Sequence, residues 1–468
     1  MITLEGFVYR HRTMSAYVSR ASSFLLLALV AVGCDRTFVD ETPPTLEVVA
    51  PAFDTVFATR QTDLEIRASS FRDIASVTVN SEAMQYQPAE DVWQASLSLD
   101  EGINTLIVTA TDAGDLATSD TLIALRTALS LSPPPFALPE PRYGHTATRL
   151  LSGDVLVTGG ATDESEGGTT TAFLVNGVNG RITLLDARLN EPRIGHTATL
   201  VPDGRVFILG GSRRTADTLQ EGEGPLEASE EALVETVEVY DPTTQTFRVV
   251  PFNGQPIRRT EHTATLYAPT DGLFIDVYGG RGDVDYFTDN TIATRDDARR
   301  FEWVDGTVVA RSPSIGLDIE PISGHATAPL ADPTALPYQN LVTGTYFLDG
   351  SEDNTHWFFT YTQNEGFRER PAPPPQLSRT QHTATAVADG VVLLFGGDRG
   401  RPDQPAFPSE VYVDAVQAYY QFLPEAVPPI TLSQHTATFV GNGRILVLGG
   451  LTTTGQPSAA GYFFQLPL

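Results

Sequence analysis

"PRYGHTATRLLSGDVLVTGG" (Pro141–Gly160) returns as "PRIGHTATLVPDGRVFILGG" (Pro192–Gly211) and, near the end of the chain, as "TLSQHTATFVGNGRILVLGG" (Thr431–Gly450). In each copy "HTAT" opens one apolar run and a second run ends in Gly-Gly, with a turn pair between them. The pairs are Ser152–Gly153, Asp203–Gly204, Asp271–Gly272, Asp389–Gly390 and Asn442–Gly443. Such pairs between apolar runs predict a β-hairpin, because both turn residues tolerate positive φ. The runs "VFILGG", "VVLLFGG" and "ILVLGG" are almost continuously apolar, the mark of a strand buried on both faces. Gly-Gly then ends the strand where a side chain would obstruct a close backbone approach.

The copies are counted by their histidines: His145, His196, His262, His325, His382 and His435, spaced by 51, 66, 63, 57 and 53 residues. Five end in Gly-Gly; the fourth keeps only Gly344 and carries a proline-rich insertion, so it reads as the degenerate one. Downstream of the second Gly-Gly, "VEVYDPTTQTF" (Val237–Phe247) supplies a third strand, a turn and the start of a fourth. Four strands in each of six copies predict a six-bladed β-propeller. After the last Gly-Gly only "LTTTGQPSAAGYFFQLPL" remains, with room for a third strand around Ala460–Leu466 but not a fourth. The missing outer strand is expected from "TALSLS" (Thr127–Ser132), which removes the edges an open ring would expose.

The opening histidine, the hairpin, the Gly-Gly and the aromatic pair Tyr240 and Phe247 resemble the kelch repeat of the galactose oxidase-like propeller superfamily. That resemblance covers about three quarters of the chain and implies a fold, while propellers of this kind host unrelated activities. Before the repeats, runs such as "TDLEIRASS" and "NTLIVTATD" alternate with period two between turn residues, predicting a small antiparallel β-sandwich. "GINTLIVTATDAGDLATSDTLIAL" (Gly102–Leu125) resembles the last two strands of a bacterial immunoglobulin-like domain, a type of module that usually serves as a spacer.

At the amino terminus Arg20 precedes the apolar run Phe24–Val32, too short to span a bilayer and the right length for a signal-peptide core. "AVGC" (Ala31–Cys34) resembles the lipobox of bacterial lipoproteins, which makes Cys34 the lipidated first residue of the mature chain; an A-x-G signal-peptidase site before the same cysteine is the alternative. Cys34 is the only cysteine, so stability comes from packing and closure and not from disulfides. The expected organisation is therefore a lipoprotein signal over residues 1–34, a tether over 35–44, an immunoglobulin-like β-sandwich over 45–126 and the six-bladed propeller over 127–468. The expected location is the bacterial cell envelope, at the outer membrane or cell surface, with a lipid anchor as the only membrane contact.

The formal net charge is -28, and every one of the 30 basic residues is arginine. Such an acidic surface repels phosphate backbones, which excludes nucleic acid as a partner. Six histidines at equivalent positions raise the question of a metal, but their neighbours are threonine and alanine, and the ligand spacing and supporting carboxylates of a metal site are missing. They read as markers of how each repeat is built.

Three residues before the histidine stand Arg142, Arg193, Arg259 and Arg379, with Ile322 and Leu432 in the fourth and sixth copies. On one face of a ring these guanidinium groups either rim the channel mouth and clamp an anionic ligand or acidic peptide, or pair with acidic neighbours between blades. The galactose oxidase relatives build a copper site that includes a thioether-linked cysteine, and the single cysteine here lies at the lipidation position. The expectations are no catalytic residue, no metal, no cofactor and no enzyme: a monomeric propeller that binds an unknown protein or glycan. An enzyme or carbohydrate-binding lectin using the channel mouth is the alternative. The acidic segments Leu219–Glu235 and Arg281–Asn290 read as solvated loops, and calcium there matches no known loop spacing.

Overall fold

The computed structural model describes residues 42–467 apart from 53–54, 164–166, 214–232, 271, 286–288, 295–296, 317–321, 332–333, 335–337, 345–356, 363–365, 374, 376–378, 399–408 and 423–429. The signal segment and Cys34 lie outside the described residues, as does most of the tether. The named elements are all β-strands, arranged in small sheets that are antiparallel except where Phe252–Asn253 pairs parallel with Thr307–Gly316. Among the described residues no helix is long and apolar enough to cross a membrane.

The repeat that opened the sequence forms a four-stranded sheet from Thr146–Arg149, Asp154–Thr158, Ala172–Asn176 and Ile182–Leu184, in chain order. The second repeat does the same with Thr197–Leu200, Val206–Leu209, Val237–Asp241 and Thr246–Val250. In both, the second strand is buried along most of its length, as a strand covered on both faces must be. Its neighbours press apolar side chains on it from either side: Phe207, Leu209, Val237 and Val239 share one cluster with Ile275, Val277 and Phe301 of the third repeat. Each such aliphatic or aromatic side chain contributes about 2 kcal/mol by leaving water. The fifth repeat follows the pattern with Thr383–Ala388, Val391–Phe395, Glu410–Val413 and Ala418–Gln421.

Two repeats depart from the sequence reading. The fourth, expected to be degenerate, still builds a complete sheet from Ala326–Pro329, Tyr338–Thr343, Trp357–Thr362 and Gly366–Pro371. The third has longer outer strands (Asp297–Val304 and Thr307–Gly316) and adds a hairpin, Arg281–Asp285 with Asp289–Thr294, that pairs with Arg259–Thr260. The turns also differ in detail. Only Asn442 (φ 52°) and Gly443 (φ 66°) are both left-handed; at Ser152–Gly153 and Asp203–Gly204 the glycine alone is, with φ of 90° in each case. There a longer turn closes on the glycine, the geometry of a bulged hairpin in which only one residue needs positive φ.

The last sheet joins the two ends of the repeat region. Thr436–Gly441, Arg444–Leu448 and Ala460–Gln465 are completed by Ser130–Ala137, which pairs antiparallel with Ala460–Gln465. The outer strand thus comes from before the first repeat, beginning within the stretch that the sequence nominated. The first strands of the six sheets touch in cyclic order, including the sixth with the first.

Upstream lie two further four-stranded sheets. One orders its strands Thr45–Ala50, Gln61–Ser69, Val92–Ser98 and Gln85–Gln87; the other Glu82–Ala83, Ile74–Val79, Gly102–Asp112 and Ala117–Arg126. Leu64, Ile66, Val77, Val79, Leu106 and Val108 fill the space between them. This sandwich is welded to the repeats. Val56 N donates to Gln421 O (2.8 Å), and Thr127 N, just past the last sandwich strand, donates to Phe57 O (3.0 Å). Val56, Leu125 and Leu129 belong to one apolar cluster with Val413, Tyr420, Phe422, Ile445 and Phe464 of the fifth and sixth repeats. A shared core of this kind makes the sandwich part of the fold and not a freely moving spacer.

Candidate functional site

Each repeat histidine opens its sheet's inner strand and is buried, from 4% exposed at His196 to 6% at His325 and His382. Its Nε2 reaches a threonine hydroxyl of the preceding repeat: His196 to Thr146 (3.0 Å), His262 to Thr197 (3.1 Å), His325 to Thr263 (2.8 Å) and His435 to Thr383 (3.3 Å). His145 meets Thr436 (3.1 Å), so the series runs from the last repeat back to the first. In the fourth repeat Ala326 stands where the others have that threonine, and His382 turns instead to Thr343 (2.7 Å). The ring packs against Gly-Gly: a Cβ on Gly159 would lie 2.6 Å from His196 Cε1, and one on Gly160 would lie 2.7 Å from His145 Cβ. Both glycines also need left-handed backbone, with φ of 61° and 85°.

Burial removes the solvation an imidazolium needs. It pushes His145, His262, His325 and His435 down to about 3, and His196 well below its ordinary value. At neutral pH these rings are uncharged struts.

Arg142, Arg193, Arg259 and Arg379 are also withdrawn from solvent, none more than 4% exposed. Each donates through Nη1 to the first glycine carbonyl of its own Gly-Gly pair: Gly159 (2.7 Å), Gly210 (2.8 Å), Gly279 (3.2 Å) and Gly396 (3.3 Å). The strand position facing the residue two before that glycine decides what else the arginine meets. In the second repeat this is Glu238, 3.0 Å from Arg193, and in the fifth Glu410, 2.5 Å from Arg379; all four side chains are fully buried. In the first repeat Phe173 stands there, Arg142 lies over its ring at 5.1 Å and pairs with Glu140 instead. In the third the position holds Arg299, which donates to Pro256 O and Gln255 O. In the fourth and sixth, where the arginine is replaced by Ile322 and Leu432, the facing residues are Trp357 and Tyr462. The guanidinium groups therefore brace these four sheets from within. A clamp on an anion from solvent needs exposed donors, and at these four positions the donors are buried.

The carboxylates that hold Arg193 and Arg379 were missed in the sequence, although "VEVYD" and "SEVYVD" put both two residues before a buried tyrosine, Tyr240 and Tyr412. A second buried pair is particular to the third repeat. Arg300 donates through Nε and Nη2 to both oxygens of Asp276 at 2.7 Å, where the other repeats have aliphatic or aromatic residues. Burial pushes the Asp276 carboxyl up, and Arg300 opposes that shift.

Half-buried are the residues just before the histidines: Gly144, Gly195, Glu261, Gly324, Gln381 and Gln434. All six have positive φ, between 52° and 65°. Five of their amides link neighbouring repeats: Gly144 N donates to Gln434 O (3.0 Å), Gly195 N to Gly144 O (2.9 Å), Glu261 N to Gly195 O (2.9 Å), Gln381 N to Gly324 O (2.6 Å) and Gln434 N to Gln381 O (2.9 Å). Holding a non-glycine residue in this backbone region costs on the order of 1 kcal/mol.

No protein-family model and no curated protein matches the chain. Among solved structures, that of YjhT is similar with a TM-score of 0.51 at 12% identity, covering 71% of this chain and 99% of that one. A fungal alcohol oxidase of the AA5 family in complex with copper has a TM-score of 0.47 at 12% identity, covering 91% of this chain and 76% of that one. The YjhT likeness supports a kelch-like β-propeller fold for the repeat region. The expectation that the chain is not an enzyme does not stand, because a fold of this kind gives no ground for excluding catalysis. Among the described residues no group of three or more His, Cys, Asp or Glu is placed to hold a metal ion.

Proposed function

We propose that the chain is an exported, lipid-anchored recognition protein of the cell envelope. Its six sheets are the blades of a closed kelch-type propeller, the sandwich in front of them is immunoglobulin-like, and ligand is taken at the channel mouth. One observation carries this reading: the repeat residues able to do chemistry, six histidines and four arginines, are buried between and within the sheets. What distinguishes one repeat from the next is the residue just before the histidine and the length of the segment between Gly-Gly and the next strand, 25 residues in the second repeat (212–236) and 9 in the sixth (451–459). Variable segments on a rigid frame are where propellers place recognition, whether the bound molecule is released or converted.

The test is capture from envelope extract by the full chain. Replacing residues 214–232 and 399–408 with short Gly-Ser links should abolish capture while leaving the unfolding transition in place. Capture of the same molecules by the shortened protein would end the proposal. Membrane fractionation of wild type beside Cys34→Ser checks the anchor: the variant should appear in the soluble fraction.

A further inference from the structure

Neighbouring repeats pack through their second strands, and strand alternation fixes which residues meet there. The residue three before the first glycine of Gly-Gly faces the next repeat, and the residue four before it faces the previous one. Leu156 shares an apolar cluster with Val206, Phe207 with Ile275, and Leu341 with Val392. Leu393 joins Ile445 in the same way, and Leu446 joins Val155 where the sixth repeat meets the first. At the junction of the third and fourth repeats both positions change. They hold Asp276 and Asn340, which are 0% and 1% exposed.

The six junctions therefore differ in what parting them exposes. At five, separation brings aliphatic and aromatic side chains into water, which is unfavourable. At the third–fourth junction both oxygens of Asp276 are taken by Arg300 at 2.7 Å, and Arg300 belongs to the same repeat, so parting the repeats need not break this ion pair. Asn340 does reach across, but its Nδ2 lies 3.3 Å from Thr265 Oγ1 and 3.5 Å from Tyr278 OH, long for hydrogen bonds. Among the described residues its Oδ1 has no hydrogen-bond partner. A buried ion pair and an unmet buried acceptor both gain by meeting water. The contact of His325 with Thr263 does not set this junction apart, because other junctions have its equivalent. In the cyclic order of the first strands, this junction stands opposite the one between the sixth and first repeats, where the borrowed strand completes the last sheet.

We propose that the junction of the third and fourth repeats is a seam along which the ring parts while the junction of the sixth and first repeats holds. Parting there opens the channel along one side, and every sheet keeps its own strand pairing. The seam goes beyond the recognition reading and takes from it only the ring of six sheets. The two fail separately, because loop shortening tests capture and amide exchange tests the seam.

Five amides report on the junctions one by one. Gly160 N donates to Arg193 O, Gly211 N to Arg259 O, Gly280 N to Ile322 O, Gly397 N to Leu432 O and Gly450 N to Arg142 O, each across a junction at 2.7–2.8 Å. Hydrogen exchange of the full chain is read at single residues by mass spectrometry and corrected for neighbouring side chains. Gly280 is expected to exchange at least tenfold faster than each of the other four. The variant Asp276→Leu/Arg300→Val/Asn340→Ile copies Leu393, Val411 and Ile445 of the fifth–sixth junction, and should bring Gly280 down to the rate of the others. Equal exchange at all five amides of the wild type overturns the proposal, whether or not the variant folds. Fast exchange at Gly280 that persists in the folded variant also overturns it, because the polar residues would then not be the cause. Exchange at Gly450 as fast as at Gly280 would mean a ring loose throughout, with no seam.

Discussion

The second and fifth repeats solve a problem that the fourth and sixth solve differently. In each repeat a side chain three residues before the histidine must fill the sheet's interior against the third strand. The second repeat fills it with Arg193 on Glu238 and the fifth with Arg379 on Glu410, pairs whose four side chains are wholly buried. The fourth sets Ile322 at the arginine position with Trp357 at the facing one, and the sixth likewise sets Leu432 and Tyr462. The lesson is that the two positions change together. A buried guanidinium is tolerable only where its charge and donors are met, and where the carboxylate is absent the arginine is absent or differently satisfied.

The sharpest way to break this comparison is to remove one partner. Glu238→Ala leaves Arg193 charged and buried, and should cost about 3–5 kcal/mol in urea denaturation. The double variant Arg193→Leu/Glu238→Tyr transplants the sixth repeat's solution into the second and should recover most of that loss. A double variant as unstable as the single one would show that the two solutions are not interchangeable.

A second prediction concerns a feature the repeats share. Five buried histidines have pKa values lowered from 6.5, four of them to about 3. The unfolded chain binds protons on these rings below about pH 6.5 while the folded chain does not, so stability is full above that pH and falls as pH drops toward 3. Each ring contributes a slope of up to about 1.4 kcal/mol per pH unit. His262→Gln keeps a donor for Thr197 and removes one titrating group, so its stability should decline less steeply between pH 6 and 4, by about that amount. An unchanged slope would mean that the ring titrates normally in the fold.

Much of the frame could be read from the chain. Period, hairpins, Gly-Gly and the borrowed strand are local or repeated signals, and six copies average out the noise in any one. What escaped reading was relational. Arg142 and its counterparts are spaced like a rim, and only the register that sets Ile208 against Glu238 shows that they turn inward. The fourth repeat lost its second glycine and gained prolines, yet strand pairing with Tyr338–Thr343 survives because Gly344 alone supplies the close approach to His382. The residues just before the histidines were hidden for the opposite reason. Glu261, Gln381 and Gln434 look like ordinary surface residues, and only a positive φ shared with three glycines marks them.

The smallest effect is expected where the series of histidine contacts has already repaired itself. Ala326 denies His382 the hydroxyl that every other repeat provides, but Thr343 accepts the contact at 2.7 Å, so no hydrogen bond is missing at Nε2. Ala326→Thr restores the motif without restoring a lost interaction. A hydroxyl added to a site 7% exposed must find a partner of its own, and the only gain is a second acceptor for a satisfied nitrogen. Urea denaturation should therefore place the variant within about 0.5 kcal/mol of wild type. A gain of more than about 1 kcal/mol would show that the contact to Thr343 is a poor substitute, and that the fourth repeat is the weak link between its neighbours.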